Sequence, residues 1–162
     1  IAERERKTVF SRSWQLAGRA EQVGKPGHYI TGAIAAEPFV VIRGSDRTLR
    51  AFFNVCRHHA AAVMTETCGE ANQLRCPYHG WTYSLEGELK SAPDMGAVVD
   101  FDRRAMSLLP MDVAVWKKWV LVRLEPGGAP LDAIPALDAA RFHWFERRLY
   151  HLECNWKVFV DN

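Results

Sequence analysis

The chain is 162 residues long, 48% hydrophobic, 25% charged and 11% aromatic, the composition of a globular domain able to bury a core without help from disulfides or metal. Its 21 Lys and Arg against 19 Asp and Glu leave a net charge of +2, too even and too scattered to neutralise a phosphate backbone, so nucleic acid is not an expected partner. The longest apolar runs, such as Trp119 to Val122, fall far short of the roughly 20 residues that cross a bilayer. With no signal segment opening the chain, the expectation is a cytoplasmic protein with no membrane contact.

From Glu3 to Trp14, Val9, Phe10 and Trp14 recur at helical spacing among charges, which predicts a short amphipathic helix within an N-terminal helical lead over 1–22. After Gly24 and the Pro26-Gly27 turn, runs of β-branched and aromatic residues predict strands at His28 to Thr31, Pro38 to Arg43 and Thr48 to Asn54. Gly44-Ser45-Asp46 between the last two is turn chemistry and makes them a hairpin. Further strands are predicted at Gln73 to Arg75, Trp81 to Ser84, Glu88 to Lys90, Asp112 to Trp116 and Trp119 to Leu124, with Glu86-Gly87 closing a tight turn. The Pro- and Gly-rich stretch that follows Glu125 marks a boundary, giving a domain over 23–125 and a linker with the start of a truncated second domain over 126–162. There Leu131 to Phe142 reads as helix, Arg147 to Glu153 alternates like a strand, and Asn155 caps a helix toward Asn162. The absent initiator Met at Ile1 and the stop at Asn162 inside that helix predict a piece of a longer protein.

Four cysteines are too few for a disulfide scaffold, and in a reducing compartment they point to metal or redox chemistry. Two segments stand out: Cys56-Arg57-His58 and, after 17 intervening residues, Cys76-Pro77-Tyr78-His79. Each brings one thiol and one imidazole. Two Cys and two His suit a tetrahedral zinc site, but zinc modules usually keep like ligands together. A mixed pair on each loop suits a cluster whose two irons differ, one held by sulfur and one by nitrogen.

The segments Asn54-Val-Cys-Arg-His and Cys76-Pro-Tyr-His-Gly-Trp-Thr-Tyr resemble the two cluster-binding loops of the Rieske family. That resemblance implies an all-β Rieske fold of small antiparallel sheets with flanking helices, and a 2Fe-2S cluster with Cys56 and Cys76 on one iron and His58 and His79 on the other. Neutral imidazoles in place of two thiolates raise the potential above that of all-Cys ferredoxins, which makes the cluster a one-electron relay. Where the respiratory branch of the family carries an extra disulfide, this chain has Ala61 and Tyr78. Trp81 stands where that branch places a Ser donor, while Tyr83 keeps the other hydroxyl beside the cluster. Both features resemble oxygenases, whose first loop typically continues Arg-Gly where this chain has His59-Ala60.

The tail, Cys154-Asn-Trp-Lys-Val-Phe-Val-Asp-Asn, resembles the start of the catalytic domain of Rieske non-haem iron oxygenase α subunits, of the choline-monooxygenase-like and ring-hydroxylating kinds. The resemblance implies a mononuclear Fe(II) site held by residues beyond Asn162, so no catalytic residue is expected within this chain. It also implies a flavin-dependent reductase or a ferredoxin as electron donor, a homotrimer as the full-length protein, and hydroxylation or demethylation of a small organic substrate with O2. A free-standing Rieske ferredoxin is the alternative reading, and a zinc-binding interaction module the third. Cys68 and Cys154 are expected to be no ligands, because neither has a ligand partner at short spacing, and His59 is set aside because Cys-x-His already supplies the geometry; His28, His143 and His151 lack the His-x4-His spacing of an iron-binding helix and carry no assigned role.

Overall fold

The structure, a computed structural model, describes residues 2–93, 95–96, 98–128, 130–131 and 141–161. The β-branched runs become strands where their pattern predicts them: β2 (His28–Ile34), β3 (Glu37–Arg43), β4 (Leu49–Phe53), β6 (Leu74–Arg75), β7 (Thr82–Tyr83), β8 (Leu89–Ser91), β9 (Pro110–Trp116) and β10 (Trp119–Arg123). The two strands not predicted are β1 (Gln15–Arg19) and β5 (Cys68–Glu70). All ladders are antiparallel. A seven-stranded sheet runs β1-β10-β9-β4-β3-β2-β5, and β6-β7-β8 form a smaller one. The all-β architecture with flanking helical segments is therefore as expected.

Strand β3 shows how the sequence divides the core. Its continuous apolar run, Phe39-Val40-Val41-Ile42, is buried on both faces, which is why it does not alternate with polar residues. Val40 and Ile42 point into a core with Tyr29, Phe52, Leu74, Trp81 and Tyr83, the one that contains Cys56 and Cys76. Phe39 and Val41 point into a second core with Ile30, Met111, Val120 and Val122. Between β3 and β4 the Gly44 and Thr48 ends close as the predicted hairpin, with the Gly44 amide donating to the Thr48 carbonyl at 2.8 Å. The Glu86-Gly87 turn is closed by the Ser84 amide on the Glu88 carbonyl at 2.9 Å.

Three expectations for the ends of the chain change. The predicted helix Glu3 to Trp14 is α1 (Ala2–Glu5) continuing as a π-helical turn (Arg6–Phe10). It stops there because the Ser11 and Ser13 hydroxyls bond back to the Lys7 and Val9 carbonyls, and such back-bonding competes with helix propagation. β1 lies inside the expected helical lead. Gln-Leu-Ala-Gly-Arg has little strand propensity of its own and is a strand because β10 pairs with it. Arg147 to Glu153 forms no strand, since alternation without a neighbouring strand leaves the backbone unpaired, and its Leu149, Tyr150 and Leu152 are exposed. The predicted helix Leu131 to Phe142 falls mostly on residues outside the described ones. The last helix does form, as α2 (Trp156–Val160), with the Asn155 side chain accepting from the Lys157 amide at 3.0 Å. The indole of Trp156, an exposed residue, donates to Glu5 of α1 at 3.1 Å and packs edge-on against Phe10. No helix among the described residues is long and apolar enough to cross a membrane.

Candidate metal centre

Two loops rise from the first core. One leaves β4 through Asn54 and returns through Val63 and Met64; the other joins β6 to β7. They share a hydrogen-bond pattern. In the first, the Ala60 amide donates to the Cys56 carbonyl at 2.9 Å and the Cys56 amide to the Ala61 carbonyl at 2.8 Å. In the second, the Gly80 amide donates to the Cys76 carbonyl at 3.1 Å and the Cys76 amide to the Trp81 carbonyl at 2.8 Å. Each pattern needs a left-handed residue four positions after the cysteine: Gly80 at φ 71° and Ala60 at φ 59°. The replacement of Arg-Gly by His59-Ala60 therefore leaves the loop geometry intact and puts an alanine in a conformation that glycine takes without strain.

Of the four predicted ligands, the two cysteines lie together in the core beneath these loops and the two histidines face each other on the outer side. Cys56 and Cys76 are 3% and 2% exposed, and their thiols are neighbours in the core. Burial pushes the Cys76 thiol up and Cys56 adds to the shift, while the amides of Tyr78 and His79 oppose it. Above the sulfurs, His58 and His79 face each other with their Nδ1 atoms 3.2 Å apart. Each ring is set by an aromatic neighbour. His58 stacks on buried Trp81, with centroids 4.8 Å apart and planes 3° apart, and His79 stacks on exposed Tyr78 at 3.9 Å. Edge-on contact from Phe101 supports Trp81 in turn. The Tyr83 hydroxyl accepts from the Arg57 amide at 3.0 Å and lies 3.4 Å from Cys56 Sγ, where it is the donor once that sulfur is a thiolate. Burial, then Cys56, raises the Tyr83 pKa, so this hydroxyl stays a donor.

Two buried thiols side by side are natural ligands of a metal, which deprotonates them as it binds. The donors are layered, sulfur inside and nitrogen outside, and this layering fits two unlike metal positions better than one tetrahedral ion. Among the described residues, one ring nitrogen each of His58, His59 and His79 lie within 4.8 Å of one another, a group that takes in His59 and neither cysteine; His59 is exposed and packs beside His58 at 3.9 Å. Cys68 in β5 and Cys154 before α2 are exposed. His28 sits 3.8 Å from Glu70, at the β2–β5 pairing. Asn54 is the contributor whose role the spacing did not disclose. Its buried side chain ties the two ends of the first loop, accepting from the Val63 and Met64 amides and donating to the Met64 carbonyl. A buried Asn two residues before a ligand, at a strand exit, is the signal that marks it.

The family model for the Rieske [2Fe-2S] domain matches residues 13–118. The chain belongs to this family. A 2Fe-2S cluster is the group such a domain carries, in agreement with the donor set just described. The chain is 32% identical to a chloroplastic choline monooxygenase of Arabidopsis thaliana over 95% of its length and 41% of that protein's. It is 30% identical to the carnitine monooxygenase oxygenase subunit of Escherichia coli K12, covering 99% of this chain and 46% of that one. Among solved structures, the quaternary ammonium Rieske monooxygenase CntA with L-carnitine superposes with a TM-score of 0.75 at 33% identity, over 79% of this chain and 36% of that one. Naphthalene 1,2-dioxygenase with indole gives 0.74 at 27%, over 80% and 30%. The chain thus spans less than half the length of these relatives.

Proposed function

We propose that this Rieske domain is the electron-transfer part of a non-haem iron oxygenase α subunit. Cys56 and Cys76 hold one iron of the cluster, and His58 and His79 hold the other through Nδ1. The observation that carries the assignment is the pair of Nδ1 atoms 3.2 Å apart above two buried thiols. When bound, the cluster supplies reversible one-electron chemistry. The protein's own part is to exclude water from the sulfur side with Trp81 and Tyr83, to donate the Tyr83 proton toward Cys56 Sγ, and to leave the histidine edge open to a partner, since His79 and Tyr78 are exposed.

In this reading the whole protein carries a mononuclear Fe(II) site beyond the present chain and uses O2 to hydroxylate or demethylate a small organic substrate. The choline and carnitine monooxygenases among the relatives favour a quaternary ammonium compound. A flavin-dependent reductase or a ferredoxin supplies electrons, and the full-length protein is a homotrimer. A cytoplasmic setting suits four cysteines that form no disulfide. The cluster domain starts before β1 in this proposal, earlier than residue 23, because β1 completes the seven-stranded sheet, and it ends near residue 125.

Iron, sulfide and zinc analysis of the purified protein, with visible absorption before and after reduction, tests the assignment. Two irons and two sulfides per chain, with a visible band that bleaches on reduction, are expected. Stoichiometric zinc without sulfide overturns it.

A further inference from the structure

We infer that Asn54 is the positioning residue that holds the first ligand loop closed, and that through it the Cys56–His58 half of the site keeps its grip on iron. The inference rests on the ligand assignment proposed above. The two ends of the second loop are fastened by a strand ladder, Leu74 opposite Tyr83 and Arg75 opposite Thr82. The ends of the first loop have no ladder between them. Inside the loop the Cys56 amide meets the Ala61 carbonyl at 2.8 Å, and the outer ends are joined by a side chain: Asn54 Nδ2 donates to the Met64 carbonyl at 2.7 Å, and Asn54 Oδ1 accepts from the Met64 amide at 2.9 Å and the Val63 amide at 3.1 Å. Two amide donors facing one atom and a carbonyl facing the other leave a single choice for the orientation of the carboxamide. Asn54 is 4% exposed, so solvent is poorly placed to replace these bonds, and its own amide is anchored on the Pro38 carbonyl at 2.9 Å. The side chain therefore mimics a missing strand pair, fixing Val63 and Met64 to the end of β4 with Cys56 and His58 strapped between.

Removing the carboxamide strands two amides and a carbonyl in the protein interior. The loop then opens in steps too small to unfold the domain, and opening is what lets iron leave. The measurement is the rate at which a chelator bleaches the cluster of the purified protein. Asn54→Ala is expected to accelerate release by about tenfold or more, the equivalent of about 1.4 kcal/mol. Asn54→Asp keeps the shape and both accepted bonds but turns an oxygen toward the Met64 carbonyl, so it is expected to fall between the wild type and Asn54→Ala. A control separates bracing from general stability: Val41→Ala hollows the second core, away from the loops, and is expected to lower the thermal midpoint without accelerating release. Release from Asn54→Ala at the wild-type rate, or no faster than from Val41→Ala, overturns the inference. Should Asn54→Ala not fold, Asn54→Asp decides by the same comparison with the wild type.

Amide hydrogen exchange in cluster-free protein gives a second readout. The Val63 and Met64 amides are expected to exchange about tenfold faster in the Asn54 variant, while those of β6 and β7 keep their wild-type rates. Unchanged exchange at Val63 and Met64 overturns the inference. A wild-type protein that assembles no iron-sulfur cluster overturns the ligand assignment instead, and the exchange comparison still decides the role of Asn54.

Discussion

The first ligand loop leaves β4 and returns with no strand pairing beneath it, whereas the second is the connection of a β-hairpin. Yet both present a buried cysteine and an outward histidine through the same two backbone bonds. The second obtains this from regular structure and a glycine. The first obtains it from the Asn54 carboxamide and an alanine held at positive φ. Equivalent ligand geometry thus rests on unequal support, and the difference should be visible when each loop is perturbed.

The largest effect is expected from the ligands themselves. Alanine at Cys56 or Cys76 should abolish iron binding, whereas alanine at Cys68 or Cys154, both exposed, should leave iron content unchanged. Metal analysis checks both halves of that statement. A cluster lost with Cys68→Ala or Cys154→Ala would mean that the loops do not form the site alone.

Next in size is the link that ties the loops to each other. The Tyr83 hydroxyl belongs to the β7 end of the second loop and serves the Arg57 amide and Cys56 Sγ of the first. Tyr83→Phe removes a donor that favours the more negative, reduced state, so the midpoint potential should fall, by about 60 mV if the bond differs tenfold between redox states. Protein-film voltammetry reads this directly. An unchanged potential would show that the hydroxyl serves the Arg57 amide alone.

The smallest effect compares the two left-handed residues. A Cβ at Gly80 would meet Arg75 no closer than 3.5 Å, so Gly80→Ala should cost only its backbone strain, about 1 kcal/mol or somewhat less once the stiffer unfolded chain is credited. Ala60→Gly should stabilise by a similar amount. Thermal or denaturant unfolding of the two variants gives opposite signs if both loops obey one geometry, and the same sign if they do not.

The proposed ligands could be picked out because cysteine and histidine at short spacing carry their chemistry in their identity. The strands were legible where β-branched runs fill two cores, as in Phe39 to Ile42. β1 was not, because Gln15 to Arg19 is made a strand by its partner β10 rather than by its own residues. The apparent strand Arg147 to Glu153 failed for the complementary reason, having alternation but no strand to pair with. Asn54 stood in plain view within the first motif, but its role depends on Val63 and Met64 coming back beside it, which no local pattern announces. Ala60 was likewise readable only as a departure from Arg-Gly until its φ showed that the loop keeps the glycine-like conformation.

Mössbauer spectroscopy of the iron-57-enriched, one-electron-reduced protein tests the central assignment most directly. An iron held by two neutral imidazoles is less negative than one held by two thiolates and takes the added electron. The prediction is one ferric and one ferrous site in equal amounts, with the ferrous spectrum altered in His58→Cys or His79→Cys and the ferric spectrum kept. Two equivalent irons, or a ferrous spectrum indifferent to both histidines, would contradict the assignment.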